Sequence, residues 1–208
     1  MPLRIVGLIF VLTISLAACV NETVMGPVAG DFVFQALHSP DHVALNLATG
    51  SEYTHCGLVL NDSSGLVVYE AVGPVRAIPL DQWVQQGIDQ HCVVMRFNDR
   101  AKLLDQNDLE EIRRVADTYI GKGYDSYFNW SDDRIYCSEF VWKAIKLALN
   151  IELAQLRLLG SYDLTDSRVQ KRLHEKYGDS LPLQEPMISP ADLMNSSILD
   201  TVLVINKK

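Results

Sequence analysis

A glutamate stands inside an apolar run, Leu66-Val-Val-Tyr-Glu-Ala-Val72. The run is apolar on both faces, the pattern of a strand covered on both sides. A carboxylate buried there costs several kcal/mol unless a cation or a hydrogen-bond donor meets it. Glu70 therefore needs a partner such as Arg76, or an edge position where it reaches water. His55 offers another partner. It opens a second apolar run, His55–Leu60, and the turn cluster Asn61-Asp-Ser-Ser-Gly65 separates the two. The runs are expected to pair as an antiparallel hairpin, across which His55 and Glu70 can face one another. A carboxylate beside an imidazole fixes its tautomer and raises its basicity, which is how a general base is oriented. Taken alone, His55 fits a core histidine bonded to a backbone carbonyl equally well. His38, His42 and His174 fall in loop or polar-helix settings, and His91 starts a strand, so their claims are weaker.

Cys137 stands where a polar, aromatic loop gives way to an apolar helical pattern running to Asn150. At a helix start its sulfur would lie near unsatisfied backbone N–H groups and the positive end of the helix. Such surroundings lower a thiol pKa from ~8.5 toward neutrality, and a nearby imidazolium lowers it further. The thiolate is the nucleophile, and the same N–H groups can hold the oxyanion that its attack creates. A small buried hydrophobe at a helix start is the plainer alternative.

The chain has four cysteines. Cys19 belongs to the N-terminal segment, which leaves Cys56, Cys92 and Cys137, an odd number that guarantees at least one free thiol if no partner chain supplies another. His55-Cys56 and His91-Cys92 repeat the same dipeptide, yet neighbours on a strand point to opposite faces, and the usual zinc spacings are absent. No metal site is expected. Cys56 and Cys92 either form a disulfide or remain two buried thiols.

The N-terminal segment carries Arg4, an apolar run from Ile5 to Ala18 and then Cys19. The run falls below the ~20 residues that span a bilayer and has the build of a secretory signal. Leu16-Ala-Ala-Cys19 resembles the bacterial lipobox, in which cleavage leaves the Cys N-terminal and lipidated; simple cleavage after Ala18 is the other reading. Residues 1–18 are thus expected to be a signal peptide, 19–29 a lipidated Cys19 with its tether, and 30–208 one domain. With Val20 after the Cys, the lipobox resemblance implies a lipid anchor in the outer membrane of a Gram-negative envelope, facing the periplasm.

These side chains must be positioned by a fold of moderate size. The chain has 208 residues, 48% of them hydrophobic, with a net charge of −8. That composition suits a packed domain, and without a cluster of Lys and Arg it gives nucleic acid no surface to bind. Asp31–Gln35, His55–Leu60, Leu66–Val72, Cys92–Phe97 and Thr201–Ile205 read as strands. Helices are expected after Ser39-Pro40 as far as Gly50, at Leu80–Gln86, Asn107–Ile120, Cys137–Asn150, Asp166–Tyr177, and after Ser189-Pro190. Leu109, Ile112, Ala116, Tyr119 and Ile120 are placed on the buried face of one helix, and Lys143 and Lys146 on the outer face of another. The class is α+β.

Five blocks occur in a fixed order: Asp31-Phe-Val-Phe-Gln35, Tyr53-Thr-His-Cys-Gly-Leu-Val59, Tyr69-Glu-Ala-Val-Gly-Pro-Val75, Gly121-Lys-Gly-Tyr-Asp125 and Tyr136-Cys-Ser-Glu-Phe-Val-Trp-Lys143. In this the sequence resembles the YiiX-like permuted papain-fold amidases, relatives of the NlpC-type cell-wall cysteine peptidases. The resemblance runs from about residue 30 to Ser189-Pro-Ala-Asp-Leu193. It implies a circularly permuted papain-like fold, with a small antiparallel sheet packed by helices and the His strand ahead of the Cys helix. It makes Cys137 the nucleophile, His55 the base, Glu70 the residue orienting the base, and Tyr124 a hydroxyl that helps hold oxyanion or substrate. No cofactor is implied. Cys56 after the His and Gly123 before the Tyr, where Pro is common, depart from the pattern. The expected substrate is a peptide amide of the cell wall or a lipid-linked amide or ester, cleaved through a thioester. A silent lipoprotein that binds a peptide or lipid in the same cleft is the alternative, and the oligomeric state is not readable.

Overall fold

The computed structural model describes residues 26–206. The expectations for residues 1–25, including the signal peptide and lipidation of Cys19, lie outside the described residues. Gly26 and Val28, assigned to the tether from sequence, are held against the body. The Gly26 carbonyl accepts from Arg96, and the Val28 N–H donates to the buried carboxylate of Asp31, which also accepts from Arg96 at 2.7 and 2.8 Å.

In chain order the elements are β1 (Phe32–Gln35), α1 (Pro40–Thr49), β2 (His55–Asp62), β3 (Gly65–Ala71), β4 (Val75–Pro79), α2 (Leu80–Gln86) and β5 (Cys92–Phe97). There follow α3 (Arg100–Leu103), α4 (Gln106–Asp117), β6 (Gly123–Tyr124), β7 (Arg134–Ile135), α5 (Cys137–Leu149) and β8 (Arg157–Leu158). The chain ends with α6 (Ser167–Tyr177), β9 (Pro186–Met187), α7 (Pro190–Met194) and β10 (Leu199–Ile205).

Six strands form one antiparallel sheet in the order β10-β5-β1-β2-β3-β4. Strand alternation splits its side chains between two cores. Phe32, Phe34, Cys56, Leu58, Leu60, Val67 and Tyr69 pack with α4 and α5, while Val33, Val59, Val68, Cys92 and Val94 pack with Trp83 of α2. With β2 on one side and β4 on the other, β3 lies inside the sheet and is covered on both faces. Its unbroken apolar run predicts that placement.

The helices begin and end as their capping residues dictate. Ser39 caps α1, its side chain accepting from the His42 N–H, and Gly50 closes the helix at φ +67°. Asp105 and Asp108 form a reciprocal box at the start of α4. Two expectations need correction. The helix expected to reach Ile120 stops at Asp117, and the turn into Gly121 leaves Ile120 46% exposed rather than on the buried face. Lys143 does not point outward either. The loop before α5 folds back over it, so its ammonium meets Glu139 at 2.9 Å, Asp132 at 2.8 Å and the Ser131 carbonyl at 2.7 Å.

Beside the future site, Gly57 lies under a close approach of β3. A Cβ at this position would come within 2.3 Å of Val68 Cγ1 and 3.0 Å of the Tyr69 carbonyl oxygen. Gly57→Ala is expected to cost about 1–3 kcal/mol of unfolding free energy through overpacking. Urea denaturation reads this directly; an unchanged midpoint would show that the sheet yields without cost.

Candidate active site

The hairpin register brings the buried acid and the histidine together. Leu58 pairs with Tyr69 and Val59 with Val68, so the strands run antiparallel and the start of β2 lies beside the end of β3. His55 Nε2 donates to Glu70 Oε2 at 2.6 Å. The other carboxylate oxygen accepts two bonds from Arg76 on β4, from Nε at 2.9 Å and Nη2 at 2.7 Å. Arg76 stands directly across from Glu70 in the β3–β4 register and also reaches Gln86 on α2. Glu70 is fully buried, and it receives both partners the sequence offers. Burial would raise its pKa, but the bonds and charges of His55 and Arg76 prevail and hold it below the usual carboxylate value.

With Nε2 committed to Glu70, Nδ1 is the ring nitrogen left for a reaction. The imidazole stacks on Trp83 with centroids 5.9 Å apart. This contact and the Glu70 bond fix the ring plane. Burial works against a charged ring, yet Cys137 and Glu70 outweigh it and raise the His55 pKa to about 9.

Cys137 is the first residue of α5, as its sequence context predicts. The helix start places the sulfur at the positive end of α5, and the Tyr136 N–H before it is taken by Glu139 at 3.3 Å. The side-chain interaction with Cys56 lowers the Cys137 pKa first of all; burial opposes it, and His55 reinforces it, leaving it well below the ordinary thiol value. The Cys137 pKa moves down and the His55 pKa up, the directions expected of a thiol and an imidazole that share a proton as coupled groups. Tyr124, on β6, lies near enough to Cys137 that burial and the thiolate's charge push its phenol well up, which keeps the hydroxyl protonated as a donor.

Sequence reasoning gave His42 a weaker claim than His55, though it expected the segment Ser39–Gly50 to line the cleft. It sits on α1 with its Nδ1 at 2.8 Å from Thr54 Oγ1, and its ring stands perpendicular to His55 at 6.4 Å. Burial lowers its pKa, so the ring is neutral beside the imidazolium. Its helical setting hid it. The usable signal was the hydroxyl of Thr54 immediately before His55. His42 also borders an open groove of about 370 Å³, with Asn46, Leu47 and Thr54 among its walls. α1 is held in place by Asp41, which accepts from Arg172 of α6 at 2.7 and 3.0 Å and pairs with Lys176 at 2.8 Å. His38 and His91 are not brought to the thiol: His38 lines the outer part of the same groove, and His91 bonds Tyr53 and Asn206.

The expectations for the remaining cysteines resolve by face. Cys56 points toward α5, and Cys92 lies in the core on the other side of the sheet, with β1 between their strands. All three described cysteines are free, so the disulfide alternative gives way to the two buried thiols. Among the described residues, no group of three or more His, Cys, Asp or Glu side chains is gathered as a metal site.

Because the folded His55 pKa lies above the unfolded ~6.5, its pairing contributes fully to stability below that value. The contribution fades as pH rises through about 9. Glu70→Gln removes one of the two groups that raise it. An NMR titration of the His55 ring should therefore show a lower pKa in the variant than in the parent; equal values would mean that the carboxylate does not hold the imidazolium.

The sequence and the fold are both similar to those of known proteins. The model of the permuted papain-like amidase family, YaeF/YiiX, C92, matches residues 27–203. The chain is 37% identical to the Escherichia coli (strain K12) protein YiiX, whose function is uncharacterized, over 92% of this chain and 93% of that protein. It also superimposes on the crystal structure of metalloprotein yiiX from Escherichia coli O157:H7, with a TM-score of 0.81 and 38% identity, covering 85% of this chain and 97% of that one. Antiparallel sheet, His strand before Cys helix, and sequence agree with one another: the chain belongs to the permuted papain-like amidase family.

Proposed function

We propose that the protein is a cysteine amidase in which Cys137 is the nucleophile, His55 the general base and acid, and Glu70 the group that orients His55. The observation that carries this reading is the linked set of Arg76, Glu70, His55 and Cys137, built on adjoining strands and the start of one helix. The thiolate attacks an amide or ester carbonyl, and the tetrahedral oxyanion is held by the first-turn N–H groups of α5 and the Tyr124 hydroxyl. His55 then gives its proton to the leaving amine or alcohol, and the acyl group remains on Cys137 as a thioester. Water deprotonated by His55 releases it. Glu70 stays ionised throughout and stabilises the imidazolium between these steps.

The substrate in this proposal is a cell-wall peptide amide or a lipid-linked amide or ester. It approaches along the groove beside His42. Lipidation of Cys19 after signal cleavage would hold the domain at the periplasmic face of the outer membrane. Among the described residues no helix is long and apolar enough to cross a membrane, which is compatible with a lipid anchor.

Muropeptides and N-acyl or O-acyl lipids are the probes to assay, with intact-mass detection of the acylated enzyme after acid quench. The adduct should map to Cys137, and Cys137→Ala should abolish both adduct and turnover. His55→Ala is expected to cost on the order of 10²–10⁴-fold in rate, and Tyr124→Phe about 10²–10³-fold if its hydroxyl holds the oxyanion. Turnover that survives Cys137→Ala would overturn the assignment. Activity should fall at high pH as His55 loses its proton near 9.

A further inference from the structure

Two thiols occupy one buried spot beneath the site. Cys56 is the second residue of β2 and shares its inward face with Leu58 and Leu60, against α5. Cys137 is the first residue of the helix that covers this face, and the two are 0% and 3% exposed. The packing of β2 against α5 places both side chains in one buried cluster, where each sulfur shifts the titration of the other, and both cysteines are free. Packing alone does not call for sulfur at position 56, since an apolar side chain fills such a place as well. Cys92 is on the far face and takes no part.

We propose that Cys56 is a resolving thiol for Cys137: a hydroperoxide closes a Cys56–Cys137 disulfide that switches the site off, and a dithiol reopens it. The Cys137 thiolate attacks the terminal oxygen of the hydroperoxide. The O–O bond breaks, Cys137 becomes a sulfenic acid, and the departing alkoxide or hydroxide takes the His55 proton. The Cys56 sulfur then attacks the sulfenyl sulfur, its proton passing to the expelled hydroxide to give water. Two thiols thereby lose two electrons, and the hydroperoxide is reduced to an alcohol or water. The neighbouring charges set the order of events. Burial and the Cys137 charge hold the Cys56 thiol protonated, so it is not the first to react. Once Cys137 is a neutral sulfenic acid, that restraint is gone. Closure brings the sulfurs to a bond of ~2.05 Å, and it removes the nucleophile from the reach of substrate and of further oxidation.

The switch rests on Cys137 being a reactive thiolate, and its test needs no substrate. The mature protein is treated with hydrogen peroxide, alkylated, digested and mapped by mass spectrometry, beside Cys56→Ala and Cys56→Ser variants whose folding is checked by circular dichroism. The expected result is a linked Cys56–Cys137 peptide, an alkylated Cys92, and full recovery of both thiols with dithiothreitol. In the variants Cys137 should pass on to sulfinic and sulfonic acids that dithiothreitol does not reverse. Equal overoxidation of Cys137 with and without Cys56, and no linked peptide, overturns the switch. A Cys137 that resists peroxide but alkylates rapidly at neutral pH overturns the switch alone; one that does neither overturns the thiolate as well.

Discussion

The carboxylate of Glu70, withdrawn completely from water, is the group around which the site is arranged. An ion in that position is tolerable only if its lone pairs are filled and its charge is answered. His55 fills one oxygen at 2.6 Å, and Arg76 grips the other with two donors. Both partners come from strands that flank β3 in the sheet, so the sheet's hydrogen bonding and the ion's needs specify the same register. A shift by one residue would turn Glu70 into the α5 core and leave its charge unanswered. The same contacts orient His55, which stacks on Trp83 and can present only Nδ1 to a neighbour.

The His55 ring in turn favours the thiolate form of Cys137. Three features favour the anion at that point: the start of a helix, the Cys56 thiol and the His55 ring. Cys56 and His55 belong to β2 and the helix start to α5, and α5 must lie over β2 for them to meet. The buried Lys143 helps to fix that placement. It ties Glu139 of α5 to Asp132 and Ser131 in the loop that leads from Tyr124 to Cys137. A charge expected on the solvent face thus holds that loop to α5.

Local pattern was enough to place the strands and helices that carry Glu70, His55 and Cys137, because caps, turn residues and apolar periodicity act over a few positions. Gly50 and Ser39 bound α1 as their chemistry requires, and the Asn61–Gly65 turn sets the hairpin. The short strand Val75–Pro79 escaped notice since Arg76 and Pro79 interrupt its alternation, though Arg76 is there to meet Glu70. His42, Lys143 and the facing of Cys56 depended on contacts between elements far apart in sequence. Such contacts leave no local signature: the loop over Lys143 and the approach of α1 to β2 are settled by packing across the sheet. For Cys56 and Cys92, strand parity and the strand between them decide what counting cysteines left open.

The central claim is that His55, held by Glu70, keeps Cys137 as a thiolate at neutral pH. Its most direct test is the alkylation rate of Cys137 against pH in the mature protein, resolved by site in a mass spectrometer and repeated in His55→Ala. Cys56 and Cys92 serve as slow internal controls. An apparent Cys137 pKa far below ~8.5 that moves up when His55 is lost is the predicted result. A Cys137 that titrates as an ordinary thiol, or reacts no faster than Cys92 and ignores His55, would contradict the account.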